Sequence, residues 1–380
     1  MTHPKTCKAV VLERYNAPFV IRDVQIPETL EPGAILVKIE VASVCGSDVH
    51  LWTGELAQLV AQDLPLVPGH EMVGRIAELG AGVTHDSVGN ALAVGDRILW
   101  SHASCGKCHN CKVLNQPTLC TERKFYGFTR SLNTAPYING GFAEYCYVLP
   151  TSGVVRVPDE VKSEWASSVG CALRTVMNGF DRLDDIGGLA FTDTVVVQGA
   201  GPLGLYTTAV CSRRGPGTII VIGGPANRLE VAKAWGATAT IPIEDYPTPE
   251  ARIARVKELT GGRGASVVFE MSGAHHAFAE GLEMAAMGGK YVSVGPVGGP
   301  KTSIPAEMIT RKNLTIAGVF SADIKHYYRG LEFVRRYRHE IDFDLLISSS
   351  YAMADINVAI DNMHHFRDVK SVIRMQGDTP

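Results

Sequence analysis

The chain has 380 residues, more than one ordinary core organises, so two domains are expected. Apolar residues make up 46% and charged residues 20%, a globular balance, and the net charge of -3 gives no electrostatic reason for nucleic acid or an anionic membrane as partner. No apolar run of about 18 residues occurs and Met1 to Lys8 lacks an apolar signal region, so neither a membrane span nor export is expected, and the cytoplasm is the expected compartment.

Short segments bounded by Gly and Pro, at 35–41, 72–79 and 143–149, make the first 160 or so residues read as β-rich. A helical pattern follows over 169–180. From Thr194 strands and helices alternate: strand 194–198, helix 203–213, strand 218–222, helix 228–235, strand 238–243, helix 250–259, strand 266–270, helix 277–286 and strand 290–294. That alternation predicts a parallel sheet covered by helices on both faces. After Lys312 the pattern is mixed to Pro380, and residues 325–338 read as a surface helix or subunit contact.

Gly199-Ala200-Gly201-Pro202-Leu203-Gly204 follows the first strand of this region and opens a helix. Close backbone approach and free N–H groups at a helix start suit a dinucleotide pyrophosphate. The acid that would grip the adenosine ribose is missing, because its position holds Gly223. Asn227 and Arg228 follow, and Arg228 can reach either a ribose hydroxyl or a 2′-phosphate. NAD and NADP both stay open, with NADP expected to be tolerated.

Nine cysteines, an odd number without an export signal, argue against a disulfide framework. Cys105, Cys108, Cys111 and Cys120 crowd into one short stretch. Four thiolates at such spacing suit a closed tetrahedral structural zinc. An iron–sulfur run would close sooner, with Cys-Pro. His109, the pairs His275-His276 and His364-His365, and Cys7, Cys146 and Cys211 read as bystanders. Cys45-Gly46-Ser47-Asp48-Val49-His50 and Gly69-His70-Glu71 carry chemistry-bearing side chains but assign no role by themselves.

Taken in order, the Cys45–His50 segment, Gly69-His70-Glu71, the four-cysteine lobe and the Gly199–Gly204 turn resemble the medium-chain zinc-dependent alcohol dehydrogenases. Gly95-Asp96-Arg97, Gly140 to Tyr145 and Gly288-Gly289-Lys290 add to the resemblance. It implies a GroES-like β-rich catalytic domain (1–175 and 316–380) interrupted by a doubly wound Rossmann dinucleotide-binding domain (176–315), with a cleft between them. It also implies a homodimer or homotetramer.

The resemblance further implies one structural and one catalytic zinc per subunit, with Cys45, His70 and Cys171 as catalytic ligands. Glu71 is a carboxylate beside that zinc, in or next to its ligand shell. Asp48 orients His70, and Ser47 and His50 carry the alcohol proton to solvent. Gly199, Gly201, Pro202, Leu203, Gly204, Gly223, Asn227 and Arg228 border the cofactor. Zinc, as a Lewis acid, would ease loss of the hydroxyl proton before hydride transfer to NAD(P), giving an aldehyde or ketone. A zinc-independent quinone or enone reductase of the same fold, and a non-catalytic dinucleotide sensor, are the alternatives. The interval from Cys111 to Cys120 holds eight residues, one more than the family usually has. The leucine-rich stretch 51–67 and the aromatic stretch 126–139 are candidates to border the substrate.

Overall fold

The computed structural model describes residues 3–58, 63–295 and 303–375. They form two compact units: Met1–Arg174 with Ala322–Arg338 and Ile347–Pro380, and Thr175–Ser321 with His339–Leu346.

In the first unit, Thr6–Val11 (β1) pairs antiparallel with Val20–Gln25 (β2). Ile35–Ser43 (β3) is buried along almost its whole length and has strands on both edges. After β3 come the short helix Gly46–Trp52 (α1), Glu71–Leu79 (β4) and Arg97–Trp100 (β5). The single turn His109–Lys112 (α2), Tyr145–Val148 (β6), Val154–Arg156 (β7) and helix Ser163–Ser168 (α3) follow.

Where a continuous helix over 169–180 was expected, Val169–Leu173 is one π turn, followed by the α-helix Arg174–Asp184 (α4). The apolar pattern hid the widened turn.

The second unit is built on Thr194–Gln198 (β8), Thr218–Gly223 (β9), Ala239–Pro242 (β10), Ala265–Glu270 (β11), Ala285–Ser293 (β12) and Thr315–Gly318 (β13). Pro202–Arg214 (α5), Ala226–Ala234 (α6), Pro249–Leu259 (α7) and Ala277–Met284 (α8) connect its first five strands. The sheet order is β10-β9-β8-β11-β12-β13, with every pairing parallel. This is the Rossmann order, whose direction reverses between β8 and β11, where dinucleotides bind. Two expected boundaries move. Helix α8 ends at Met284, because Ala285 already pairs with Ala265, and the sixth strand runs past 315, the residue expected to close the domain. Val196, Ile220, Ile241, Val268 and Tyr291 centre this core.

Helix Ala306–Arg311 (α9) precedes β13, and Ile324–Tyr337 (α10) returns to the first unit, burying Tyr327, Leu331 and Val334 on one face. There Ser349–Ala352 (β14), Ile356–His364 (α11) and Ser371–Arg374 (β15) complete a sheet ordered β14-β15-β3-β4-β5-β7, with β6 also on β3. Among the described residues no helix is long and apolar enough to cross a membrane.

Candidate metal centres and dinucleotide turn

Strand register assembles the first centre. Ser43 of β3 pairs with Glu71 of β4, so Cys45, just past one strand, meets His70, just before the other. Val372 of β15 pairs with Ser43 from the opposite edge and brings Lys370 to the same end. The π turn lies across them: a Cβ on Gly170 would stand 3.5 Å from the Glu71 Cα. Widening a helix by one residue redirects the side chains it carries, and such turns recur at functional sites. Here the redirected residue is Cys171.

The ligand atoms of Cys45, His70, Glu71 and Cys171 all lie within 4.8 Å of one another. His70 and Glu71 are buried, while both thiols are half-buried. Asp48 Oδ1 lies 3.2 Å from His70 Nδ1, and Asp48 Oδ2 accepts the Cys45 backbone N–H at 2.9 Å. One carboxylate thus caps α1 and fixes the imidazole, leaving Nε2 for a metal. The Phe128 ring packs 4.7 Å from the imidazole and is the one member of the stretch 126–139 placed against His70 by a ring contact among the described residues.

Burial and mutual contacts perturb all four groups. A hydrogen bond from Cys171 holds the Cys45 thiol well below its usual range, helped by His70 and Lys370 against burial. The same bond, and then burial, push Cys171 well above it. Burial opposes charging of His70, yet Asp48 and then Cys171 carry it well above the usual histidine range. Burial pushes the Glu71 carboxyl up to about 8 against the pull of Lys370. Two sulfurs, one imidazole and a fourth position make the donor set of a catalytic zinc.

Two residues here carried no signal in the sequence. Lys370 Nζ donates to Glu71 Oε2 at 2.6 Å, with both side chains buried, while Glu71 Oε1 has no hydrogen-bond partner. Buried Arg174 donates from Nε to Gly170 O at 2.6 Å, bracing the π turn. Lys370 lies 299 positions from Glu71, which no local spacing can join.

Ser47 is half-buried, its Oγ 3.9 Å from Cys45 Sγ. His50 is exposed, and its Nδ1 lies 2.7 Å from Glu55 Oε2. Leu51, Leu56, Leu66 and Val67 are core residues, so these members of the stretch 51–67 are explained by packing. Residues 59–62 of that stretch lie outside the described residues.

The second centre brings Cys105, Cys108, Cys111 and Cys120 together, their sulfurs within 4.8 Å of one another. Backbone N–H groups of Cys105 and Cys108 donate to the sulfurs of Cys120 and Cys105 at 3.2 and 3.3 Å. A backbone bond from Cys111 leads in lowering the Cys108 thiol to about 6. Between Cys111 and Cys120 the chain turns left-handed at Asn115, with φ of 52°. Exposed His109, and the exposed pairs at 275–276 and 364–365, stand outside both groups.

In the second unit, Gly199 has φ of 111°, and Gly201 and Pro202 start α5. A Cβ on Gly204 would fall 1.8 Å from Gly199 O, while a Cβ on Gly201 would meet nothing within 4 Å. The turn is therefore closed below and open above, and Leu203 lies in the first turn of α5. Gly223 ends β9, and Asn227, exposed, and Arg228, buried, lie in the first turn of α6.

Comparison with known proteins gives the lineage. Residues 31–159 match the alcohol dehydrogenase GroES-like domain, and residues 202–336 match the zinc-binding dehydrogenase family. The 5-exo-hydroxycamphor dehydrogenase of Pseudomonas putida is 37% identical over 344 residues, 90% of this chain and 92% of that one. The chain belongs to the medium-chain zinc-dependent alcohol dehydrogenases. An alcohol dehydrogenase of Thermotoga maritima superposes with a TM-score of 0.88 at 31% identity, covering 98% of this chain and all of the other. A zinc-binding dehydrogenase of Sinorhizobium meliloti bound to NADP gives 0.80 at 27% identity, over 98% of this chain and 100% of that one. This dehydrogenase acts on the CH–OH group of a small-molecule alcohol, with zinc and NAD(P) as cofactors.

Proposed function

We propose that Cys45, His70 and Cys171 hold the zinc that engages the substrate oxygen, and that Cys105, Cys108, Cys111 and Cys120 hold a second, structural zinc. The observation that carries this reading is the convergence of Cys45, His70, Glu71 and Cys171 within 4.8 Å. A zinc-independent reductase of this fold has no use for that donor set. The bound zinc supplies Lewis acidity that eases loss of the hydroxyl proton. Asp48 fixes the ring of His70, and Lys370 fixes one oxygen of Glu71. Ser47 takes up the released proton, and His50, at the solvent-exposed end of α1, passes it on. The Gly199–Gly204 turn holds the dinucleotide pyrophosphate at the start of α5, with Gly223, Asn227 and Arg228 on the adenosine side.

For the substrate we propose a secondary alcohol on a bulky apolar ring. The name of the Pseudomonas relative supports the class, and Phe128 offers an apolar wall beside His70. The test is cofactor reduction over bicyclic, alicyclic, primary aliphatic and sugar alcohols. Alicyclic secondary alcohols should give the highest kcat/KM. Preferred oxidation of sugar alcohols would overturn the substrate class, and no oxidation of any alcohol would overturn the role of the centre.

The domain division, a homodimeric or homotetrameric state and a cytoplasmic location complete the proposal. Light scattering on the purified protein checks the oligomer, which a monomer would refute.

A further inference from the structure

The acid missing from Gly223 is excluded by packing. A Cβ on Gly223 would lie 2.6 Å from Ala200 Cβ and 2.7 Å from Ala200 N, so the glycine turn itself occupies the space. The neighbouring strand supplies a carboxylate instead. Pro242 of β10 pairs in parallel with Gly223, and Ile243 N–H donates to Gly223 O at 2.9 Å, so residue 244 rides beside Gly224. A Cβ on Gly224 would lie 2.6 and 3.0 Å from the two carboxylate oxygens of Glu244. Glu244 is exposed, and its carboxylate lies against the backbone at the carboxyl end of the second strand of the sheet, the end that faces the adenosine ribose in this fold.

We propose that Glu244 replaces the missing ribose acid and makes this dehydrogenase prefer NAD to NADP. The inference rests on the Gly199–Gly204 turn being the dinucleotide site. A carboxylate there accepts hydrogen bonds from ribose hydroxyls and repels a 2′-phosphate. Gly223 taken alone points the other way, to tolerance of NADP.

The test is direct binding of NADH and NADPH to the intact protein, followed by fluorescence, in wild type, Glu244→Gln and Asp245→Asn. The wild type should bind NADH about tenfold more tightly than NADPH, ~1.4 kcal/mol. Glu244→Gln should bring the two within about threefold by tightening NADPH and weakening NADH. Asp245→Asn, which removes an adjacent exposed charge, should leave the ratio unchanged. An unchanged ratio in Glu244→Gln, an equal shift in Asp245→Asn, or a wild type that favours NADPH overturns the proposal. Failure of the wild type to bind either nucleotide would instead overturn the dinucleotide site on which it rests.

Discussion

Lys370 and Glu71 show how much rests on single side chains. An ion pair buried beside three metal-binding groups is costly to break, because the survivor loses its partner inside the protein and must neutralise or stay uncompensated. Lys370→Met should destabilise the protein by ~3–5 kcal/mol, measured by chemical denaturation, and adding Glu71→Gln should restore part of it. Equal stability of Lys370→Met and wild type would show that the pair carries no such load.

Protonation gives a second prediction at this scale. His70 and Cys171 are held above their usual ranges, and Glu71 at about 8. His70 and Cys171 must lose a proton to ligate, and a Glu71 carboxylate favours a cation, so acid competes with the metal. Apparent zinc affinity at this centre should rise steadily from pH 6 to pH 8, followed by chelator competition. A flat profile would contradict the ligand set.

At the scale of elements, the glycine turn and the cysteine lobe were legible because each is contiguous. The strand–turn–helix around Gly199 and the run from Cys105 to Cys120 carry their chemistry in local spacing. The first centre was not legible from spacing. It needs the β3–β4 register, a π turn that mimics a helix, and Lys370 from β15. Family resemblance joined Cys45, His70 and Cys171 in the sequence reading, but it named neither Lys370 nor Arg174. Glu244 carries no signal in the strand–turn–helix pattern, which places the ribose acid at the end of one strand, while this carboxylate comes from the next. The turn itself tolerates no side chain at Gly204, where a Cβ would meet Gly199 O at 1.8 Å. Gly204→Ala should therefore push β8 and α5 apart and weaken NADH binding by about tenfold or more. Binding within a factor of two of wild type would show that the turn adapts.

On the whole molecule, the chain divides its chemistry between a sheet that gathers metal-binding groups at one end and a Rossmann sheet with a glycine turn at its reversal point. Five strands in parallel order were implied by the strand–helix alternation, but the sixth strand, Thr315–Gly318, and the return of His339–Leu346 to the second unit were not. Both depend on pairings distant in sequence. The most direct test is zinc per chain, by elemental analysis of wild type, Cys45→Ala and Cys108→Ala. Two zinc centres built as described should give close to two in the wild type and close to one in Cys45→Ala, which should also lose alcohol oxidation while still binding NADH. Cys108→Ala should likewise lose one zinc. A wild type that oxidises alcohols with near zero zinc, or a Cys45→Ala protein that keeps both zinc and turnover, would contradict it.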